Sequence, residues 1–345
     1  MSVTAQAGLF AGGVLLGAGG VALFSRRGQE AKVQAVPVTA APGPAAPAPA
    51  PAPGAAVAAP ISDALALSGH PGPIADLLKQ RAYISSYDRR LQHPVWTAEH
   101  LTAESIARQP GPDGANRGKS FFTEDVRIPE LFRSTNAAYF RSGYDRGHMV
   151  PAADAKSSQQ AMDETFLLSN IAPQVGPGMN RDYWAHTEDF VRRLTTKFDD
   201  LYVFTIPLYL PRQASDGKWR VSYEVIGSPP SVSVPTHFAK VILGTGLKAS
   251  EGSLMAKAGL GSPVALGAFV MPNSMIPDTA PLRSFEADGR FTIQLTLVES
   301  IERASGLTLF PPALKASAKK LCDTVKCEII VRDFSNANKQ LVHKN

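Results

Sequence analysis

Apolar and polar positions along the chain fall mostly into short runs closed by proline or glycine. Tyr83–Tyr87 and Val95–Ala98 are rich in aromatic and β-branched residues and predict two strands around a turn at Gln92-His93-Pro94. Leu201–Ile206, Val221–Ile226, His237–Leu243 and Leu266–Met271 predict further strands. Helical spacing appears between Trp184 and Phe198, where Phe190, Val191, Leu194 and Phe198 recur with charged residues between them. Val298–Ala304 predicts a second helix, stopped by Gly306. Strands in series with few intervening helices imply an α+β fold on a central, largely antiparallel sheet. There is no internal repeat.

The first 70 residues follow other rules. Gly8–Phe24 is uncharged, glycine-rich and closed by Ser25-Arg26-Arg27, with no acidic residue before Glu30. Its length is near the lower limit for a bilayer span, and its positive charge follows the apolar run, opposite to a secretory signal. Residues 1–32 are therefore expected to target the mitochondrion and to offer an inner-membrane anchor through residues 8–24; a cleaved leader and a disordered tail are the alternatives. Alanine and proline dominate residues 33–60, and no charged side chain lies between Lys32 and Asp63. Such chain cannot build a core and tends to extend. It predicts a linker over 33–70, a folded domain over 71–336 and a tail over 337–345.

Composition adds little. At 345 residues, 44% hydrophobic and 19% charged, the chain can bury a core. A formal net charge of +5 is too mild to demonstrate nucleic-acid binding and allows at most a local basic groove. Cys322 and Cys327 cannot form a disulfide framework, and without neighbouring histidines they make no zinc site. They could bridge each other in an oxidising compartment, but free thiols are the ordinary reading.

Candidate chemistry is concentrated in two stretches, Ser142-Gly143-Tyr144-Asp145-Arg146-Gly147-His148 and Asn180–Glu188. His148 supplies an imidazole that is mostly neutral near pH 7, a candidate general base. Arg146 offers a guanidinium that matches phosphate oxygens; its alternative is an ion pair with Asp145 or Glu188. Asn180 offers a hard oxygen for a divalent cation that keeps most of its waters, or else a helix N-cap. Glu188, eight residues later, would lie about 80° around a continuous helix, so both could face one site. Base, cation, hard oxygen and acid together suit metal-assisted phosphodiester hydrolysis. A zinc hydrolase needs three or more close ligands, which His186 and His237 lack in sequence.

Asp145–His148, Ser169–Gln174 and the Asn180…Trp184…Glu188 spacing resemble the DNA/RNA non-specific endonucleases of the ββα-metal class, and within it the branch of endonuclease G and the fungal mitochondrial nucleases. Met162–Phe166, Tyr223–Gly227, Val234–Phe238 and Ser300–Leu307 extend the likeness over residues 75–336. The resemblance implies the ββα-metal fold, with helices flanking the sheet. It implies a Mg²⁺-dependent nuclease, with Mn²⁺ as a substitute, that cuts single- and double-stranded DNA and RNA to leave 5′-phosphates. His148 would be the general base, Asn180 the metal ligand, Glu188 a carboxylate ordering water around the metal, and Arg146 the motif arginine. Arg117 aligns with an upstream arginine that stabilises the transition state, although Lys119 is a rival. Animal members often carry cysteine where this chain has Ser120. A homodimer in the inner membrane or intermembrane space is also implied. The alternative is a nucleic-acid-binding protein on the same fold that has lost its chemistry.

Overall fold

The computed structural model describes residues 75–108, 114–248, 264–286 and 297–332. The chain divides into two units, Met1–Gly69 and His70–Asn345. The first unit lies outside the described residues, and with it the expected leader and anchor; the whole linker over 33–70 and the tail over 337–345 lie outside them too. Among the described residues no helix is long and apolar enough to cross a membrane.

The second unit is built on a seven-stranded sheet. Its strands are β1 (Ala75–Lys79), β2 (Tyr83–Asp88), β3 (His93–Leu101), β6 (Phe198–Leu208), β11 (His237–Leu247), β12 (Ala265–Pro272) and β13 (Lys319–Lys320), hydrogen-bonded in that order. Every pairing is antiparallel except that of β12 with β13. The eleven-residue strands β6 and β11 are central and nearly continuous in apolar residues, because both faces are covered. Alternation along β11 sends Phe238 and Ile242 into one core, with Trp184, Phe190 and Phe269, and Ala239, Val241 and Leu243 into the other, with Val298 and Ile301. The expected α+β sheet flanked by helices is thus present.

Six smaller strands lie outside this sheet, in three pairs. β4 (Asp145–His148) pairs antiparallel with β5 (Ile171–Gln174), β7 (Arg212–Gln213) with β8 (Trp219–Arg220), and β9 (Val225–Ile226) with β10 (Val232–Ser233). Helices α1 (Asn136–Tyr139) and α2 (Gln159–Glu164) precede α3 (Tyr183–Leu194). After them come α4 (Leu297–Ser305), α5 (Pro312–Ser317) and α6 (Leu321–Thr324). The predicted strand over Val221–Ile226 shrinks to Val225–Ile226, since Val221 and Tyr223 are exposed and have no strand beside them. Phe198 does not end the predicted helix; α3 stops at Leu194 and Phe198 opens β6. The first turn lies just before its expected place: Gln92, with φ +56°, closes it, and His93 and Pro94 already belong to β3.

Cys322 and Cys327 form a disulfide, with Cα atoms 5.2 Å apart, so the free-thiol expectation is overturned. The short turn of α6 brings both side chains into the core beneath α3, within bridging distance. Closing so short a loop removes little denatured-state entropy, about 2 kcal/mol. Replacing both cysteines by serine should therefore lower unfolding free energy by about that amount in a denaturant titration. A loss well beyond it would show that the bridge also orders the surrounding packing.

His93 predicts an acid-sensitive fold. It is 1% exposed, with Nδ1 2.7 Å from the Pro94 carbonyl oxygen and Nε2 2.6 Å from the Tyr209 hydroxyl. Burial lowers its pKa to about 4, against a weaker opposing pull from the Pro94 bond and Asp88. The unfolded chain, with an ordinary pKa near 6.5, binds the proton first. Stability is thus lost as pH falls from about 6.5 towards 4, up to about 3 kcal/mol from this residue. A His93→Gln variant should show a correspondingly shallower loss between pH 7 and 4.

Candidate active site

β4, β5 and α3 form one local unit. Asp145, Arg146, Gly147 and His148 pair in register with Gln174, Pro173, Ala172 and Ile171. Buried Asn170 fixes the chain just beyond His148. Its side chain accepts from the Val150 N–H at 3.1 Å and donates to the carbonyls of Val150 and Thr165 at 3.0 and 2.8 Å. A turn over Gly176–Asn180, in which Gly178 has φ +75°, then redirects the chain into α3. The helix is held by packing: Tyr183, Trp184, Phe190, Val191 and Leu194 are buried on the sheet, while Arg192 and Arg193 complement its C-terminal dipole.

His148 is 8% exposed and sits between two aromatic rings, 5.3 Å from Phe122 and 4.7 Å from Phe166. Each ring carries a guanidinium on its face, Arg146 4.4 Å from Phe122 and Arg117 5.2 Å from Phe166. The two arginines thus flank the imidazole through its aromatic walls. His148 Nε2 has no hydrogen-bond partner among the described residues. Burial, aided by the positive charge of Arg117, lowers its pKa to about 3, so the ring is neutral and can accept a proton. Lys119, the sequence rival of Arg117, lies in the same short turn over Arg117–Lys119 and is exposed.

The sequence alternatives for Arg146 are not realised. Its guanidinium donates to Asn136 Oδ1 at 2.7 Å. Asp145 instead takes two bonds from Arg181, at 2.7 and 2.6 Å, and one from Asn180 Nδ2 at 2.9 Å. Burial works against ionisation of Asp145, but these donors outweigh it and hold the carboxyl below its usual range. An ionised carboxylate only accepts, so it fixes the Asn180 amide with its NH₂ towards Asp145 and Oδ1 away from it. Asn180 does not cap α3; Asp182 occupies the position before the helix. Nor do Asn180 and Glu188 share a continuous helix, since the turn at Gly178 intervenes.

Glu188 lies on the second turn of α3, half-buried. Burial raises its pKa to about 7, with Lys240 and Arg192 the largest opposing influences, and Arg117 also acts on it. Arg117 therefore faces both His148 and Glu188 electrostatically. The structure brings Arg117, Arg146 and His148 together around two rings and ties Asn180 to the start of the same strand through Asp145.

A hard cation fits this donor set. The Asn180 amide is oriented from behind, and among the described residues its Oδ1 accepts no hydrogen bond. Among the described residues no group of three or more His, Cys, Asp or Glu could hold a metal, so the site is not a multi-ligand cage there.

Comparisons with known proteins identify the family. Residues 61–314 match the family described as DNA/RNA non-specific endonuclease. The chain belongs to that family. It is 48% identical over 270 residues to the mitochondrial nuclease of Saccharomyces cerevisiae, covering 78% of this chain and 76% of that one. It is 41% identical over 257 residues to human mitochondrial endonuclease G, covering 74% of this chain and 76% of that one. A solved structure described as the EndoG/EndoGI complex aligns with a TM-score of 0.62 at 40% identity, over 77% of this chain and 97% of that one. The fold is that of the ββα-metal nucleases, and this member is an enzyme, a non-specific DNA/RNA endonuclease.

Three participants had no sequence role. Phe166 stood inside a matched stretch without a function, and Phe122 was invisible, because an aromatic residue in a loop reads as packing. Asp145 was considered only as a partner for Arg146. Its position beside the motif arginine was the available signal.

Proposed function

We propose that this endonuclease hydrolyses phosphodiesters with His148 as general base and a divalent cation, Mg²⁺ or Mn²⁺, on Asn180. The observation that carries the reading is the His148 ring: neutral, walled by Phe122 and Phe166, flanked by two arginines and with a free nitrogen. Nε2 takes a proton from a water in line with the phosphorus. Arg146 and Arg117 neutralise the phosphate oxygens, while Asp145 keeps the Asn180 oxygen aimed at the cation. Glu188 orders water next to it. The cation, when bound, offsets charge building on the phosphate and on the departing 3′-oxygen, which leaves a 5′-phosphate on the other fragment. Contacts directed at the sugar–phosphate chain carry little sequence information, which suits cutting of both DNA and RNA.

The names of the relatives support a mitochondrial location for this chain, and we extend this to the inner membrane or intermembrane space through residues 8–24. We also infer a homodimer, to be checked by sedimentation.

The deciding experiment is nicking of supercoiled plasmid by the full chain. Mg²⁺ should support cutting, Mn²⁺ should replace it, and chelator should abolish it by at least about 10³-fold, the scale of lost electrostatic stabilisation. Undiminished cutting in chelator would overturn the metal role. Plasmid binding without cutting under every metal would instead favour a binding protein on this fold.

A further inference from the structure

A row of buried polar side chains crosses the face of the sheet beneath α3. Ser85, Thr97, Thr205 and Lys240 pair directly across β2, β3, β6 and β11, and none is more than 1% exposed. Directly paired residues share a sheet face. Lys240 Nζ donates to Thr205 Oγ1 at 2.9 Å and lies 5.0 Å from the ring centre of Trp184 on α3. Trp184, Glu188 and Arg192 recur every fourth residue on that helix, so they line one side of it. Glu188 therefore sits one turn beyond the ring that Lys240 underlies. A second carboxyl, Glu99, follows Thr97 by two residues on β3 and so faces the same way; it is 4% exposed, and neither oxygen has a partner among the described residues.

A buried ammonium with one hydroxyl acceptor and one ring is poorly compensated unless a carboxylate shares its field. Arg192 is already committed to Asp154 at 2.9 Å. Two acids remain beneath α3, Glu188 and Glu99. We propose that Lys240 is a positioning residue for the metal site, its ammonium acting on the Glu188 carboxylate through the buried field beneath α3 and not through a direct ion pair. The proposal rests on the role given above to Glu188.

The charges around Glu188 are Lys240 from β11, Arg192 from its own helix, Asp154 from the loop after β4, and Arg117 from its short turn; Glu99 on β3 faces Glu188 in turn. Of the charged side chains, Lys240 exerts the largest influence on Glu188. Burial, then Asp154, pushes Glu99 well above the usual carboxylate range, and Lys240 opposes that shift as well. The lysine favours the ionised form of Glu188 against the burial that raises its pKa to about 7, beside the water around the cation.

The test is binding of Mn²⁺ alone to the full chain, without nucleic acid, followed by the paramagnetic resonance signal of the free ion. Lys240→Met should weaken Mn²⁺ binding by about tenfold or more, as expected for loss of a group that orients a metal site. Lys240→Gln, which keeps a polar partner for Thr205 but drops the charge, should do the same; this covers the case in which Lys240→Met does not fold. Glu188→Gln should weaken binding similarly, and adding Lys240→Met to it should change nothing further. Full additivity in the double variant, or wild-type binding in both lysine variants, would overturn the proposal. Asn180→Ala separates the two layers of inference. If it binds Mn²⁺ as the wild type does, the metal site itself has been misassigned. If it loses binding while the lysine variants keep theirs, only the role of Lys240 fails.

Discussion

His148→Ala is expected to lower plasmid nicking by about 10²–10⁴-fold, the range for loss of a positioned general base. The loss should be as deep at pH 6 as at pH 8. An ordinary histidine would be largely protonated at pH 6, so the wild type would already be impaired and the gap to the variant would narrow. Here burial first, then Arg117, hold the imidazole pKa near 3, so the ring is deprotonated across that whole range. A gap that closes at pH 6 would show that His148 charges in the working enzyme, and the base would need another environment than this one. Folding has to be followed in parallel, because alanine also leaves a hole between Phe122 and Phe166. Asn180→Ala offers the complementary measurement. Asp145 keeps both bonds to Arg181, so the start of β4 stays anchored while the metal oxygen is gone.

The elements that could be read from the sequence were those whose period was set by burial. β6, β11 and β12 lie between two covered faces and read as apolar runs; Phe190, Val191 and Leu194 follow the buried stripe of α3. Prediction failed where a local pattern had no tertiary partner, as at Val221 and Tyr223, or where a partner was distant. Nothing near Cys322 signals that the turn of α6 will fold Cys327 back onto it. The site shows the same division. His148, Asn180 and Glu188 stand in recognisable stretches, but the bond that orients Asn180 spans 35 residues. Phe122 and Phe166 become walls only when two loops converge on β4. Lys240 did leave a trace, since it is the lone charge inside the His237–Leu243 run. A buried cation nevertheless looks no different in sequence from one at a strand edge.

Gly147→Ala should be the most damaging change that removes no chemical group. A Cβ at this position would lie well within 3.0 Å of Gln174 Oε1, Cδ and Cγ. These distances are far inside van der Waals contact, and Gln174 cannot simply swing away. It is 0% exposed and sits on β5, paired to the neighbouring Asp145. Either the Gln174 side chain is driven through packed core or β4 and β5 separate. Overpacking of this kind costs about 1–3 kcal/mol, readable as a lowered denaturation midpoint. The catalytic effect should be larger than that figure suggests, because His148 is the next residue. A displacement of about 1 Å at a reacting group can lower turnover by about 10²-fold. Gln174→Ala removes all three atoms that the new methyl would meet, so the double variant should regain most of the lost stability and a substantial part of the activity. If the double variant is no better than Gly147→Ala alone, the glycine is required for its backbone freedom and not for the approach of Gln174. Recovery would mean that the glycine of the Asp-Arg-Gly-His run is there to let β5 close against the strand that carries the base.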